Sequence, residues 1–169
     1  MKKIVIVLFI ITLLVIFSTS EEKVIIPDNA IRFRIIANSN NLSDQEEKIR
    51  IKNELEPVIS DILNKSNNIE ESRLNIKSNI KNINNIIYKY NTNYKVNYGI
   101  NHFPEKTYKG VTYKSGDYES LVVTLGDGLG DNWWCVLFPP LCLVEADEST
   151  PSDAEYTFFI KEIIDKYTR

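Results

Sequence analysis

The chain has 169 residues, of which 43% are hydrophobic and 25% are charged, and its formal net charge is −3. This composition is typical of a globular protein, so it excludes collagen-like, coiled-coil and largely disordered chains. One domain is expected at this length. The acidic balance also excludes non-specific nucleic-acid binding, which needs a basic face against the phosphates. One His and two Cys leave few metal ligands, so we expect no metal and no cofactor.

The N-terminal residues have the pattern of an export signal. Two lysines precede an apolar run over residues 4–17, and small residues 18–20 follow it. A basic start, an apolar stretch of about 7–15 residues and a small-residue exit are typical of a secretory signal. An uncleaved anchor stays open as the alternative, although a spanning helix usually needs about 20 apolar residues. We predict a signal peptide or membrane anchor at 1–20, a linker at 21–29 and an extracytoplasmic domain at 30–169.

The domain opens with a predicted strand and helix. Residues 30–37 (AIRFRIIA) alternate, with apolar side chains on one side and Arg32 and Arg34 on the other, which predicts a half-buried strand. Ser43 and Glu46 then form a Ser-x-x-Glu capping box, which predicts the start of a helix. Pro57 lies inside the apolar pattern of that helix, so we expect a kink or a short break just before it, near Glu56.

The sequence after the first helix predicts two more helices and three strands. A stripe of apolar residues at helical spacing predicts a second helix over residues 70–90. The predicted strands are residues 94–100, 119–125 and 133–138, the second of them central because it is apolar on both faces. A loop is expected around His102, a glycine break at residues 126–130, and a closing helix after a second Ser-x-x-Glu box at Ser152 and Glu155. The predicted core-facing stripes are Ile76, Ile80, Ile83, Ile87 and Tyr90 in the second helix, and Phe159, Ile160, Ile163, Ile164 and Tyr167 in the last.

The order of these elements predicts the fold class. Strands and helices are segregated along the chain and do not alternate regularly. We therefore expect an α+β fold, a single domain with a mainly antiparallel sheet and packed helices.

Residues 126–142 (GDGLGDNWWCVLFPPLC) hold three of the six glycines, both tryptophans and both cysteines. Gly126, Gly128 and Gly130 follow a strand, but their G-x-G-x-G spacing does not match the G-x-G-x-x-G of dinucleotide-binding loops. Asp127 and Asp131 alone are too few oxygen ligands for calcium. A tight glycine turn that redirects the chain is the preferred interpretation.

The two cysteines allow three interpretations. In an exported protein, Cys135 and Cys142 can close a small disulfide loop around the Pro-Pro pair. They can also be free structural thiols. As a third possibility, either cysteine is a nucleophile, with His102 as the base of Cys135, because an imidazole stabilises a thiolate. The last interpretation corresponds to an extracytoplasmic cysteine-dependent hydrolase of cell wall or peptide.

The same segment is rich in large apolar side chains. Neighbouring residues of a strand point to opposite sides, so half of these side chains are exposed unless another element covers them. Exposed aromatic clusters mark partner sites. Burial beneath the closing helix and contact with a membrane surface stay open as alternatives. The predicted partner-binding residues are Asp131, Asn132, Trp133, Trp134, Val136, Leu137, Phe138, Pro139, Pro140 and Leu141.

Two segments, IRFRIIANSNNLSDQEEKIRIKNE (residues 31–54) and GDGLGDNWWCVLFPPLC, resemble the stage II sporulation protein R family. The matched positions are Arg34, Ala37, Asn38 and Ser39 in the first segment and Gly130 through Cys142 in the second.

The resemblance implies a protein made in the forespore of an endospore-forming bacterium and exported into the space between forespore and mother cell. It implies as partner a membrane-embedded aspartic protease of the mother-cell membrane, stage II sporulation protein GA. That protease removes the pro-sequence of sigma-E. Nothing in the resemblance assigns a catalytic residue or a cofactor, so we expect a non-enzymatic signal.

Overall fold

Strand β2 (Ile31–Ile36) lies inside a four-stranded sheet, between β6 (Gly116–Leu125) and β7 (Asn132–Phe138), and these two neighbours run in different directions. Strand β3 (Tyr94–Phe103) pairs with the other side of β6, so the order is β3-β6-β2-β7. Strand β2 pairs in parallel with β6 and antiparallel with β7. The fold is α+β and a single domain, as predicted, and the sheet is mixed, because two of its three strand pairings are antiparallel and the β2–β6 pairing is parallel. The elements are β1 (Val24–Ile25), β2, α1 (Leu42–Asn64), α2 (Ile69–Tyr88), β3 (Tyr94–Phe103), β4 (Lys106–Tyr108), β5 (Val111–Tyr113), β6 (Gly116–Leu125), β7 (Asn132–Phe138) and α3 (Asp153–Thr168).

The structure is a computed structural model that describes residues 24–108, 111–142 and 153–168. The predicted signal at residues 1–20 and the first residue of the second capping box, Ser152, lie outside these ranges. Within them, no helix has both the length and the apolar character needed to cross a membrane.

The four-stranded sheet is covered on both faces. The residues of β2 with odd numbers pack against buried side chains of α1 and α2, in the largest apolar cluster of the described chain. The residues with even numbers face the second layer, which a small sheet of order β1-β5-β4 and helix α3 supply. The predicted half-buried strand is therefore wrong in one respect, because Arg32 on the supposed solvent side is only 1% exposed.

Helix α1 begins and continues differently from the prediction. The residue before its first turn is Asn41, which makes no side-chain capping bond, so the predicted box of Ser43 and Glu46 does not form the cap. The helix also runs unbroken through Pro57, so of the predicted kink or short break near Glu56 the break is wrong. Buried Leu55 and other apolar side chains on the sheet-facing side hold the helix in place across the proline.

Helix α2 follows the prediction closely. The side chain of Asn68 accepts a hydrogen bond from the Glu71 N–H at 2.9 Å, and the Glu71 carboxylate accepts one from the Asn67 N–H. These bonds satisfy free backbone donors around the helix start. The predicted stripe is confirmed: Ile76, Ile83 and Ile87 are fully buried, and Ile80 and Tyr90 pack against the same cluster.

The remaining elements confirm the predicted strands and correct their ends. Strand β6 is central, as its double-sided apolar pattern predicted, because it pairs with β3 and β2. Strand β3 extends to Phe103, so His102 lies in a strand and not in a loop. In α3, Ile160 is buried and Ile163 and Ile164 are half-buried, but Phe159 is 46% exposed and does not face the core.

An ion pair joins helix α2 to strand β6. The Arg73 guanidinium donates to the Glu119 carboxylate from Nη2 at 2.8 Å and from Nε at 3.0 Å, and the Tyr98 hydroxyl donates to it at 2.6 Å. Burial raises the pKa of Glu119, but the hydrogen bonds from Arg73 and Tyr98 outweigh it, so the net pKa of Glu119 is lowered. The folded state therefore favours the charged carboxylate.

This pair predicts a part of the acid sensitivity of the fold. Because the folded-state pKa of Glu119 is depressed, its stabilisation is complete above the unfolded pKa of about 4.3 and is lost as the pH falls through the folded value. We expect Glu119→Gln to lower the free energy of unfolding at pH 7 by about 1–2 kcal/mol. The substitution should also reduce the loss of this free energy between about pH 5 and about pH 2, the interval in which carboxylates titrate. Urea unfolding at several pH values measures both effects.

Glu70→Gln is the matched control, because Glu70 contacts the same arginine at 3.3 Å from a position that is 72% exposed. That change should alter the free energy of unfolding by less than about 0.5 kcal/mol. Equal effects of the two substitutions would contradict the assignment to Glu119.

Candidate functional site

The two sequence segments that carry the family resemblance lie side by side in the sheet. Strands β2 and β7 are antiparallel neighbours, with Arg34 opposite Trp134 and Phe33 opposite Cys135. The loops that extend these strands, residues 37–41 and 126–131, meet at the same end. Segments about ninety residues apart in the chain therefore form one unit.

Four backbone N–H groups of the glycine segment donate to the loop after β2. Two of the acceptors are backbone carbonyls and two are side-chain amide oxygens. The bonds are Gly130 N to Ala37 O at 2.9 Å, Leu129 N to Asn38 O at 3.0 Å, Asp127 N to Asn38 Oδ1 at 2.9 Å, and Asp131 N to Asn40 Oδ1 at 2.7 Å. We call this arrangement of residues 37–41 and 126–131 the loop clip.

Close approach explains two of the glycines in the clip. Gly126 has a φ of 54°, in the left-handed region, and a Cβ there would overlap the side chain of Asn38. At Gly130 a Cβ would collide with the backbone carbonyl of Ser39. The glycine spacing therefore serves chain packing, as the sequence suggested, and the segment has no phosphate-binding pattern.

The clip is also tied to the start of helix α1. The amide of Asn38 donates to Asp44 Oδ2 at 2.9 Å, and the hydroxyl of Ser39 donates to the same oxygen at 2.6 Å. These hydrogen bonds, first from Ser39 and then from Asn38, lower the pKa of Asp44. Asn38 thus bonds helix α1 with its nitrogen and the glycine turn with its oxygen, which explains its place among the matched positions.

Lys48 of α1 occupies the space beside Asp131. Its ammonium group donates to the Asp131 carbonyl at 2.9 Å and to Gln45 Oε1 at 2.6 Å, and the residue is only 6% exposed. Burial lowers the pKa of Lys48. The positive ammonium group of Lys48 thus contacts the carbonyl of Asp131, one of the two residues considered as calcium ligands, and a second cation beside it would be repelled. Within the described ranges, no three His, Cys, Asp or Glu side chains come together as metal ligands.

The structure joins Cys135 and Cys142 in a disulfide with a Cα–Cα distance of 5.2 Å. Neither sulfur is a thiol in this state. His102 lies on an exposed part of β3, where its Nδ1 is 3.0 Å from an oxygen of Asp117. The cysteine–histidine pair of the hydrolase interpretation therefore does not form in the described structure.

The two tryptophans lie on opposite faces of β7. The Trp133 ring packs edge-on against Phe33 on the helix side, with ring centroids 5.6 Å apart. The Trp134 ring packs on the other face against Phe103 at 5.2 Å and Tyr113 at 6.4 Å. Both are half-buried. The two indoles therefore do not form one exposed aromatic patch, because strand alternation places neighbouring residues on opposite faces, as the sequence predicted.

Most of the predicted partner-binding residues are inaccessible. Helices cover one face of β7, and the small sheet and α3 cover the other, so the C-terminal part of the segment presents little surface in the described structure. The buried residues are Val136, Leu137, Phe138, Pro139, Pro140 and Leu141. Asp131 is exposed, and Asn132, Trp133 and Trp134 are half-buried.

The second face of β2 carries a cluster that the sequence did not reveal, which we call the arginine–aromatic cluster. In this cluster the guanidinium groups of two arginines lie among four aromatic rings. The residues are Arg32, Arg34, Phe103, Tyr113, Tyr118 and Trp134. The Arg32 Cζ lies 3.4 Å from the centroid of the Tyr118 ring, and the Arg34 Cζ lies 4.6 Å from that of Phe103. Period-two alternation placed both arginines on one side but could not show that this side is covered.

Fold and site together define an α+β protein in which a loop clip joins two distinctive segments and in which the described cysteines are bonded to each other. A family model described as stage II sporulation protein R matches residues 27–148. The chain therefore belongs to the stage II sporulation protein R family, and the resemblance of the two segments is confirmed.

A relative from Bacillus subtilis (strain 168), named stage II sporulation protein R, is 38% identical over 133 residues. The match covers 75% of this chain and 59% of the relative, so the chain spans somewhat more than half the length of that protein. No solved structure matches the chain.

The close approach at Gly130 predicts an effect on stability. In Gly130→Ala the new Cβ would press against the Ser39 carbonyl, so the clip must open or shift. We expect the free energy of unfolding to fall by more than about 1 kcal/mol in thermal or urea unfolding. Gly99→Ala is the control, because a Cβ at Gly99 meets nothing within 4 Å and its φ is not positive. A loss at Gly99 as large as that at Gly130 would contradict the role of the clip.

Proposed function

We propose that this protein is an exported signal of sporulation that activates a membrane-embedded aspartic protease, stage II sporulation protein GA, and so promotes processing of pro-sigma-E in the mother cell. Membership of the stage II sporulation protein R family carries the proposal. The basic and apolar pattern of residues 1–20 supports export across the forespore membrane. Cleavage of that segment would give a secreted protein, and retention would give an anchored one.

The proposed activation is a binding event without bond-making chemistry. A ligand shifts a partner between two states only through its different affinities for those states. Moving a protease from 1% to 99% active requires about 5.5 kcal/mol of differential binding. A few desolvated contacts at an interface supply an energy of this size. The bonded state of both cysteines supports binding over catalysis by a thiolate.

The proposed docking surface is the end of the sheet next to the loop clip. Of the predicted partner contacts, Asp131, Asn132, Trp133 and Trp134 keep some exposure. The clip fixes the backbone at this end through hydrogen bonds and the Lys48 contact. A rigid edge loses little conformational entropy on binding, which favours affinity.

Co-expression with the protease and its pro-sigma-E substrate in a non-sporulating host tests the proposal. Processing, read as the mass shift of the sigma factor, should require this chain. It should also require residues 1–20, because the docking surface must reach the extracytoplasmic side. Processing without the chain, or with a chain that lacks residues 1–20 and stays in the cytoplasm, would contradict the proposed function.

A double substitution at exposed Asp131 and half-buried Asn132 tests the docking surface separately. Asp131→Ala with Asn132→Ala removes two side chains but leaves the backbone bonds of the clip in place, so processing should fall at least about fivefold at equal export, which is about 1 kcal/mol of binding. The control is Glu46→Ala with Asn53→Ala, which removes similar groups from the exposed side of α1. Equal processing by both pairs would exclude this surface but not the export-dependent activation.

A further inference from the structure

The arginine–aromatic cluster holds two positive charges that form no ion pair with a carboxylate of the described residues, although Asp28 attracts Arg32 electrostatically from a greater distance. None of the ion pairs of the described ranges includes Arg32 or Arg34. The guanidinium of Arg32 donates one hydrogen bond, from Nη1 to the Lys114 carbonyl at 3.3 Å. Its Nε and Nη2 atoms and the Nε of Arg34 are buried without an acceptor in the described structure.

Aromatic stacking compensates only part of the cost of burying these charges. A cation over a ring is attracted by the ring's negative face. The centroid of the Phe103 ring lies 5.3 Å from the Cζ of Arg32 and 4.6 Å from the Cζ of Arg34. Stacking leaves the N–H groups in the guanidinium plane without an acceptor, however, and a buried donor without an acceptor is destabilising. Burial accordingly lowers the pKa of both arginines.

A further donor lies beside Arg34. Trp134 faces Arg34 directly in the β2–β7 register, and its indole Nε1 is also buried without an acceptor in the described residues. The Lys106 ammonium lies 5.1 Å from the centroid of the Trp134 ring. Arg34 and Trp134 are both half-buried, so their side chains reach the surface, and their unpaired Nε and Nε1 atoms lie beneath it, with Arg32 1% exposed behind them. A ligand therefore reaches these donors only if the two side chains move slightly apart.

We propose that Arg34 and the indole N–H of Trp134, backed by Arg32, bind a carboxylate group on an acidic peptide segment of a partner protein. A planar guanidinium presents parallel N–H groups that fit a carboxylate in a two-point contact. The proposal does not depend on which protein presents the segment.

Electrostatics favour the same ligand. Residues 21–169 contain 18 basic and 23 acidic residues, so a positive cluster stands out against an acidic background. A local positive site with apolar walls focuses the field on a small anion and disfavours long polyanions, which meet the surrounding acidic residues. A carboxylate fits this pattern better than a nucleic-acid backbone.

NMR of the ¹⁵N-labelled exported domain, residues 21–169, detects the proposed donors directly, once its spectrum shows that it is folded. The indole N–H of Trp134 and the Nε–H groups of Arg32 and Arg34 give separate signals, which Trp134→Phe and Arg34→Lys assign. The probe is acetyl-Gly-Asp-Glu-Asp-Gly-amide at millimolar concentration. We expect saturable shifts of the Trp134 and Arg34 signals with this peptide and none with the matching Asn-Gln-Asn amide. An Asn-Gln-Asn peptide with a free C-terminus shows whether a main-chain carboxylate also binds.

Three variants separate the site from general charge effects. Trp134→Phe keeps an aromatic ring and removes the N–H, and Arg34→Lys keeps the charge and removes the planar fork. Each should weaken peptide binding about tenfold, the loss expected for one charge-assisted hydrogen bond. The control is Arg50→Gln, which removes an exposed arginine of α1 and should leave binding unchanged.

The proposal fails if the acidic peptide shifts neither signal, or if binding survives Arg34→Lys and Trp134→Phe. It fails equally if inorganic phosphate binds as tightly as the peptide, because the site would then select any anion. It also fails if Glu145→Gln, Asp147→Asn and Glu148→Gln together change both donor signals without peptide, because the chain itself would then supply the carboxylate.

Discussion

Backbone hydrogen bonds of the loop clip hold the ends of strands β2 and β7 in one register, and the rest of the site depends on them. The N–H groups of Leu129 and Gly130 bond to carbonyls of residues 37–41, and Asn38 extends the contact to the first turn of α1. Because strand side chains alternate, a fixed register also fixes which side chains meet across the pair. Arg34 is placed opposite Trp134 in this way.

The coverage of both faces of β2 has consequences for function. The helix face is an ordinary apolar core, and the second face contains charged groups stacked on aromatic rings. A protein that only needed stability would gain more from apolar residues at Arg32 and Arg34, since buried charges cost free energy unless they are well paired. The described part of the chain thus combines a rigid frame with donors that still have hydrogen-bonding capacity, which the proposed carboxylate binding would use.

The sequence predicted the parts of the fold that local patterns determine. The isoleucine stripe of α2 and the central position of β6 were correct, because helical spacing and a doubly apolar strand are local signals. Burial of Arg32 was missed because it depends on the rings of Phe103, Tyr113 and Tyr118, which meet over β2 only in three dimensions. The cap of α1 was misplaced for a similar reason, since Asp44 is held by Ser39 and Asn38 of the loop clip. The separation of Trp133 from Trp134 followed from strand alternation, whereas the residues that each ring faces across the pair depend on the register with β2.

Native-state hydrogen exchange on the folded protein tests the central claim, that the loop clip belongs to the same cooperative unit as the sheet. The account predicts that the amide protons of Leu129 and Gly130 exchange about as slowly as those of β2, because they donate to the backbone carbonyls of half-buried Asn38 and buried Ala37. Exchange of these two amides at the rate of an unprotected loop, with β2 still protected, would contradict it.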